Sequence, residues 1–199
     1  MLIGITGKAG SGKDTISDAL VESLSYRKIA FADTLKNMMC IMLNVSREEL
    51  EDRDFKESFP ELLNGKSVRY AMQTLGTEWG RDNFGENVWV NITGNKILDL
   101  RSPSKSKNYD DGIVVSDVRF DSEANAIKAL GGFIIEVSRE NLSEVENHVS
   151  EKGIDESLID VKFENNFKTV EDVKKSFIDL MDILENASQH QQNQELSMN

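Results

Sequence analysis

Residues 2–16 read Leu-Ile-Gly-Ile-Thr-Gly-Lys-Ala-Gly-Ser-Gly-Lys-Asp-Thr-Ile. A short apolar run stops at closely spaced glycines, and beyond them Ile16, Ala19, Leu20, Val21 and Leu24 recur at near-helical spacing. That is a strand, a loop and a helix. Gly7-x-x-x-x-Gly12-Lys13 fits a phosphate-binding pattern in the setting the pattern needs. Its glycines let the backbone turn tightly, so that successive N–H groups converge on phosphate oxygens at a helix N-terminus. Lys13 is then placed to reach the β and γ phosphates. Asp14 stands where Ser or Thr more often ligates magnesium, with Thr15 one residue later. Asp14 either contacts the ion, directly or through water, or simply favours the positive end of the first helical turn.

Outward from this stretch the chain alternates short apolar runs with helical patterns. A second strand is predicted at 28–31, then helices over 33–43, 67–83 and 87–100, with an acidic helical or irregular stretch over 46–61. Residues 101–112 read as a surface loop. A second β-α-β unit follows, with strands at 113–115 and 133–137 around a helix at 122–130. A short strand at 159–163 and an amphipathic helix from Val170 to about Glu185 complete the pattern. Residues 187–199 hold four Gln and one charge, and read as a disordered tail. Strands alternating with helices predict an α/β fold of three layers with a mostly parallel sheet. The expectation is one domain over 1–186, with a helical insertion over 33–100 and a lid over 139–158.

Composition bounds the function. The chain has 199 residues, 39% hydrophobic and 29% charged, enough for a sizeable core without a metal or disulfide. Cys40 is its only cysteine, which points to a reducing, cytoplasmic setting. No stretch approaches the roughly 18 apolar residues of a membrane span. A net charge of −12 argues against duplex nucleic acid as the main partner, so an anionic ligand must meet local basic groups.

Several residues offer such chemistry. In the 67–83 helix, Val68, Met72, Leu75 and Trp79 form an apolar stripe predicted to pack inward. Beside it Arg69, Gln73, Gly76 and Gly80 share one face, which either is a solvated helix face with destabilising glycines or, with a guanidinium, an amide and two open glycine positions, suits a planar ligand carrying a phosphate. Asp117 ends a strand at the edge where open α/β sheets collect ligands, followed by Arg119 and Glu123. It either organises magnesium or its waters, with Arg119 neutralising a transferring phosphate, or caps the helix that follows. Arg139 follows the next strand, in a region whose residues 140–185 carry a net −8, and heads a polar segment containing His148.

Taken together, Gly12-Lys13-Asp14-Thr15, Phe31-Ala32-Asp33 with Leu35-Lys36, Met72-Gln73-Thr74-Leu75-Gly76-Thr77 with Trp89, Asp117-Val118-Arg119-Phe120 with Glu123, and His148 with Ser150-Glu151 resemble the deoxynucleoside monophosphate kinases of large tailed bacteriophages. An Asp after the loop lysine is itself a mark of that group. The resemblance implies a P-loop kinase fold and transfer of the γ-phosphoryl of ATP to a deoxynucleoside monophosphate in the host cytoplasm. It implies ATP and Mg²⁺ at Gly10, Ser11, Gly12, Lys13, Asp14 and Thr15, beside the metal role that the sheet-edge position offers Asp117. Lys36, Arg69, Gly76, Thr77, Trp89, Asp117, Arg119 and Glu123 carry over to the monophosphate; Gln73, one helical turn beyond Arg69, is placed to face its base, and Trp89 either offers a stacking or sugar-packing surface or is a core aromatic on an apolar helix. Lys13, Asp117, Arg119 and Arg139 form the catalytic set, and a homodimer is compatible with the pattern. Kinases of isoprenoid phosphates share Gly-Lys-Asp and Asp-x-Arg, and a non-catalytic ATP switch shares the loop. Neither has use for an amide facing a base.

Overall fold

The computed structural model describes residues 1–102, 112–140 and 153–197. Most of the expected surface loop, and the centre of the expected lid with His148, Ser150 and Glu151, lie outside the described residues. In chain order the elements are β1 (Leu2–Thr6), α1 (Lys13–Leu24), β2 (Arg27–Ile29), α2 (Asp33–Leu43), α3 (Arg47–Glu51), α4 (Arg53–Glu57), α5 (Val68–Thr74), α6 (Asp82–Phe84), α7 (Val88–Leu100), β3 (Ile113–Val115), α8 (Asp121–Ala129), β4 (Phe133–Ser138), β5 (Val161–Glu164) and α9 (Val170–Ser197). They fall into two compact units, Met1–Lys28 with Asp110–Asn199, and Ile29–Tyr109. The second unit covers the stretch that the sequence marks as a helical insertion.

The first unit is built on a five-stranded sheet of order β2-β3-β1-β4-β5. β1 pairs in parallel with β3 and β4, and β4 in parallel with β5, so the carboxyl ends of these four strands share one edge. β1 is buried on both faces, which explains an apolar run without alternation. Its Ile3 and Ile5 join Ile16 and Leu20 of α1 and Val173, Phe177 and Met181 of α9 in one core. From the other face, a Cβ added at Gly4 would stand 2.7 Å from Ile127 of α8 and 2.6 Å from Ile134. Helices thus cover both faces, giving the three layers of an α/β fold. α9 continues to Ser197, where the sequence leads one to expect a disordered tail from residue 187. That stretch has no Gly or Pro to break a helix already anchored by its first turns.

In the second unit Leu35, Met39, Leu50, Val68 and Trp89 form a separate core. Asp33 binds it electrostatically: its carboxylate accepts from the Ala30 amide at 2.9 Å, from Arg47 at 2.9 Å and from Lys96 at 3.2 Å. Burial alone would raise the Asp33 pKa, but these three donors outweigh it and lower it below the ordinary value. Between α5 and α6 the chain runs as a π-helix over Leu75–Arg81. The wider turn moves the inward position one residue along. Gly80 is therefore buried, whereas Trp79, expected in the apolar stripe, is 45% exposed and packs on Phe84 with ring centroids 5.0 Å apart. Among the described residues no helix is long and apolar enough to cross a membrane.

Candidate active site

The segment between β1 and α1 turns on three glycines with positive φ, at 139° for Gly7, 80° for Gly10 and 104° for Gly12. Only glycine adopts these conformations without strain, and two of the positions also lack room for a side chain. A Cβ at Gly7 would lie 2.1 Å from the Val137 carbonyl oxygen, and one at Gly12 would lie 2.2 Å from Asn165 Nδ2. The ends of β4 and β5 therefore shape the loop from outside. Lys13 donates its ammonium to the carbonyl oxygens of Gly7 and Lys8, at 2.6 and 2.7 Å. Ser11 is fully buried, and its Oγ has no hydrogen-bond partner among the described residues.

Gly10, Gly12, Lys13, Asp14, Thr15 and Arg139 line one pocket of about 310 Å³, so six of the predicted site residues come together. The opposite wall was not legible in the sequence. It comes from the connection between β5 and α9, with Asn165, Phe167, Lys168 and Thr169, and from Val170 and Val173 of α9. Thr169 caps α9 by accepting from the Asp172 amide at 3.1 Å, at the helix start that the amphipathic pattern from Val170 predicts. What no local pattern shows is that this helix start would face residues 10–15. Among the described residues three cations, Lys13, Arg139 and Lys168, line the pocket against one carboxylate, Asp14. That local excess opposes the −12 charge of the chain and suits a polyphosphate.

Asp14 is exposed and lies 3.4 Å from the Lys28 ammonium, which Asp18 holds at 2.8 Å. Burial opposes the charge on Lys28, but the hydrogen bond to Asp18 and the charges of Asp14 and Asp18 outweigh it and raise the pKa. Asp14 and Thr15 offer hard oxygens at the pocket wall. Among the described residues no group of three His, Cys, Asp or Glu side chains is arranged to hold a metal alone. Magnesium commonly takes one or two protein oxygens and completes its shell with phosphates and water, so this donor set fits it.

Asp117 and Arg119 follow β3 at the same sheet edge, outside the lining of the pocket. The Val118 amide donates to the Ile5 carbonyl at 3.1 Å and ties this turn to β1. Glu123 departs from its expected role as a ligand contact. It is 3% exposed, and its carboxylate accepts from the amides of Arg119 at 2.8 Å and Phe120 at 3.2 Å. It fixes the start of α8 and the backbone that carries Arg119.

The second unit holds the other predicted residues. Lys36 pairs with Glu51 at 2.6 Å, and Arg69 with Glu57 at 2.5 Å. Gln73 and Thr77 are exposed. Trp89 takes the core alternative and also fills one of the two open glycine positions. It is 5% exposed, donates from Nε1 to the Gly76 carbonyl at 2.8 Å and lies on Gly80, where a Cβ would stand 2.5 Å from its ring. The space beside Gly80 is thus filled by an indole, and Trp89 is a core aromatic instead of an open stacking surface. At Gly76 an added Cβ would meet only the end of Leu35, at 3.0 Å.

The family described as deoxynucleotide monophosphate kinase matches residues 54–177. A protein named as a deoxynucleotide monophosphate kinase in Acanthamoeba polyphaga mimivirus is 32% identical, over 95% of this chain and 98% of that protein. The deoxynucleotide monophosphate kinase of Enterobacteria phage T4 is 25% identical over 77% of this chain and 87% of its own length. The deoxynucleoside-5'-monophosphate kinase of Escherichia phage T5 is 22% identical over 92% and 96%. With a glycine-built phosphate loop on a parallel sheet and a relative alike over nearly its whole length, the chain belongs to the deoxynucleotide monophosphate kinase family.

Proposed function

We propose that ATP binds through Gly7–Thr15 and the adjoining pocket, and that its γ-phosphoryl group passes to a deoxynucleoside monophosphate, giving ADP and the deoxynucleoside diphosphate. The observation that carries this reading is the cation-lined pocket around the glycine loop in a chain of this family. An oxygen of the acceptor phosphate forms the new P–O bond as the bond from the γ phosphorus to the leaving ADP breaks. The protein supplies no covalent nucleophile, so its work is to position the two nucleotides and neutralise charge. Lys13 exchanges the carbonyls of Gly7 and Lys8 for phosphate oxygens, and Arg139 and Lys168 add charge from the other walls. Asp14 and Thr15 would hold Mg²⁺, with Asp117 a further contact, and the ion supplies charge neutralisation on the phosphates.

Lys36, Arg69, Gln73, Gly76 and Thr77 of the second unit bind the acceptor in this reading, and Arg119 of the first unit supplies charge to the transferring phosphate. The carboxylates of Glu51 and Glu57 already engage Lys36 and Arg69, so an incoming phosphate exchanges with them; this costs little at the exposed Arg69–Glu57 pair, while Glu51 keeps Lys56 and Arg47 when Lys36 turns to phosphate. Trp89 and Glu123 act from behind, by holding the backbones of Gly76 and of Arg119.

A coupled assay of ADP release with deoxy and ribo monophosphates, isoprenoid phosphates and no acceptor tests the reading. ADP release dependent on a deoxynucleoside monophosphate is expected. Turnover only with isoprenoid phosphates, or ATP binding without acceptor-dependent turnover, would overturn it in favour of the corresponding rival.

A further inference from the structure

Asn165 stands one residue beyond β5, 154 positions from the loop residue it touches, and no motif in the sequence includes it. It is 4% exposed. Its backbone N–H donates to the Ser138 carbonyl at 2.8 Å, which fixes it against the end of β4. Its side-chain Nδ2 donates to the Ser11 carbonyl at 2.7 Å, in a buried bond. The same nitrogen occupies the place where a Cβ of Gly12 would stand. The orientation of the amide is fixed by this contact, because the reverse would set Oδ1 against the Ser11 oxygen. Oδ1 is then left buried without a partner among the described residues, at a cost in stability that asks for a reason.

We infer that Asn165 is a positioning residue for nucleotide binding, which sets the phosphate loop by holding the Ser11–Gly12 peptide in one orientation. The physical link is the planarity of that peptide. In a trans unit the C=O and N–H point in opposite directions, so holding the Ser11 oxygen toward Asn165 turns the Gly12 N–H away from it. A loop that must offer N–H groups to phosphate oxygens needs its carbonyls held outward, and a buried donor does this without competition from water. Gly12 serves the same contact, since a side chain there would displace the amide. Asn165 touches no reacting atom in this account, and acts through the loop.

The inference rests on the nucleotide reading of the loop, and its test separates the two. Asn165→Leu keeps similar bulk and deletes the donor; it removes the orphaned Oδ1 but leaves the Ser11 carbonyl without its donor, so the two effects on stability oppose one another and thermal unfolding reads their balance. Calorimetric titration of the full chain with ATP, steady-state kinetics with the best deoxynucleoside monophosphate, and thermal unfolding are compared for wild type and variant. Expected are an ATP dissociation constant and KM raised about tenfold or more, by loss of a preorganised hydrogen-bond array, with the acceptor KM unchanged. A role confined to packing would lower the active fraction and Vmax and leave both KM values alone, which would overturn the proposal. So would an ATP affinity within about threefold of wild type, since that is under 1 kcal/mol. Should Asn165→Leu fail to fold, Asn165→Ala deletes the donor without adding a charge to the pocket wall and carries the same comparison. Wild type that binds ATP but phosphorylates no monophosphate refutes the acceptor assignment alone, because ATP affinity still reads the role of Asn165.

Discussion

Lys13 shows how one side chain is prepared for its task by its neighbours. Its ammonium rests on the Gly7 and Lys8 carbonyls, so the loop fixes the charge close to where phosphate oxygens are expected. Lys13→Ala should leave the circular dichroism spectrum intact and lower kcat by about 100-fold or more, the scale of losing one preorganised charge at a phosphoryl group. A folded variant losing less than about tenfold would remove Lys13 from the transfer step. Arg69 belongs to the acceptor in our reading. Arg69→Ala should raise the acceptor dissociation constant about tenfold or more while ATP affinity stays within about threefold, as expected for a lost charge-assisted hydrogen bond at one ligand only. Paired calorimetry decides this, and equal losses for both nucleotides would refute the assignment.

Among elements, the helical run from α5 through the π-helix to α6 carries the clearest constraint. The indole of Trp89 lies where a side chain of Gly80 would go, so glycine is required by packing despite its poor helix propensity. Gly80→Ala should destabilise the protein by about 1–2 kcal/mol, because a rigid ring must shift and the cost of overpacking exceeds the propensity gain. At Gly76 the obstacle is the end of Leu35, a flexible side chain. Gly76→Ala should therefore be neutral or slightly stabilising by denaturant unfolding, and a raised acceptor KM in that variant would mark Gly76 as a ligand contact. In the pair Gly80→Ala with Trp89→Phe, the smaller ring should relieve part of the clash. Strict additivity of the two losses would show that the contact is not the cause.

At the scale of the whole molecule, a −12 chain uses its cations in different ways: Lys13, Arg139 and Lys168 line the pocket of one unit, while Lys36, Arg47 and Lys56 form an ion-pair network in the other. In that network Lys36, Arg47 and Lys56 all donate to Glu51, at 2.6, 3.1 and 2.9 Å. Burial raises the Glu51 pKa, but the hydrogen bonds and charges of Lys36 and Lys56 outweigh this and hold it at about 2, against an ordinary 4.5. A depressed carboxylate binds its proton more weakly in the folded state. Its contribution to stability is thus fully present above pH 4.5 and is lost as the pH falls through about 2. Urea unfolding from pH 5 to about 2 should show a shallower loss of stability in Glu51→Gln than in wild type, and matching slopes would show that the network adds nothing.

The strand, glycine loop and helix of residues 2–24 were readable because the information is local. Backbone freedom at Gly7, Gly10 and Gly12 and the spacing of Ile16 and Leu20 act between near neighbours in the chain. The same holds for α2, predicted over 33–43 and found at Asp33–Leu43, and for the run of short apolar strands that gives a parallel sheet. Trp79, expected inward, lies exposed, and Trp89 takes the core alternative, for a different reason. An α-helical period carried through residues 68–79 points Trp79 inward, but a π-turn lets Gly80 receive the indole of Trp89, an outcome set by packing between two helices. Glu123 likewise reads as an available acid until the turn after β3 folds its carboxylate onto two backbone amides. Asn165 lies furthest from anything a sequence pattern can carry. Its partner Ser11 is 154 residues away, and only the pairing of β1 with β4 and of β4 with β5 brings the two ends to one sheet edge. Contacts of that kind have no period and no local composition, because sheet pairing and core packing create them only once the chain has folded.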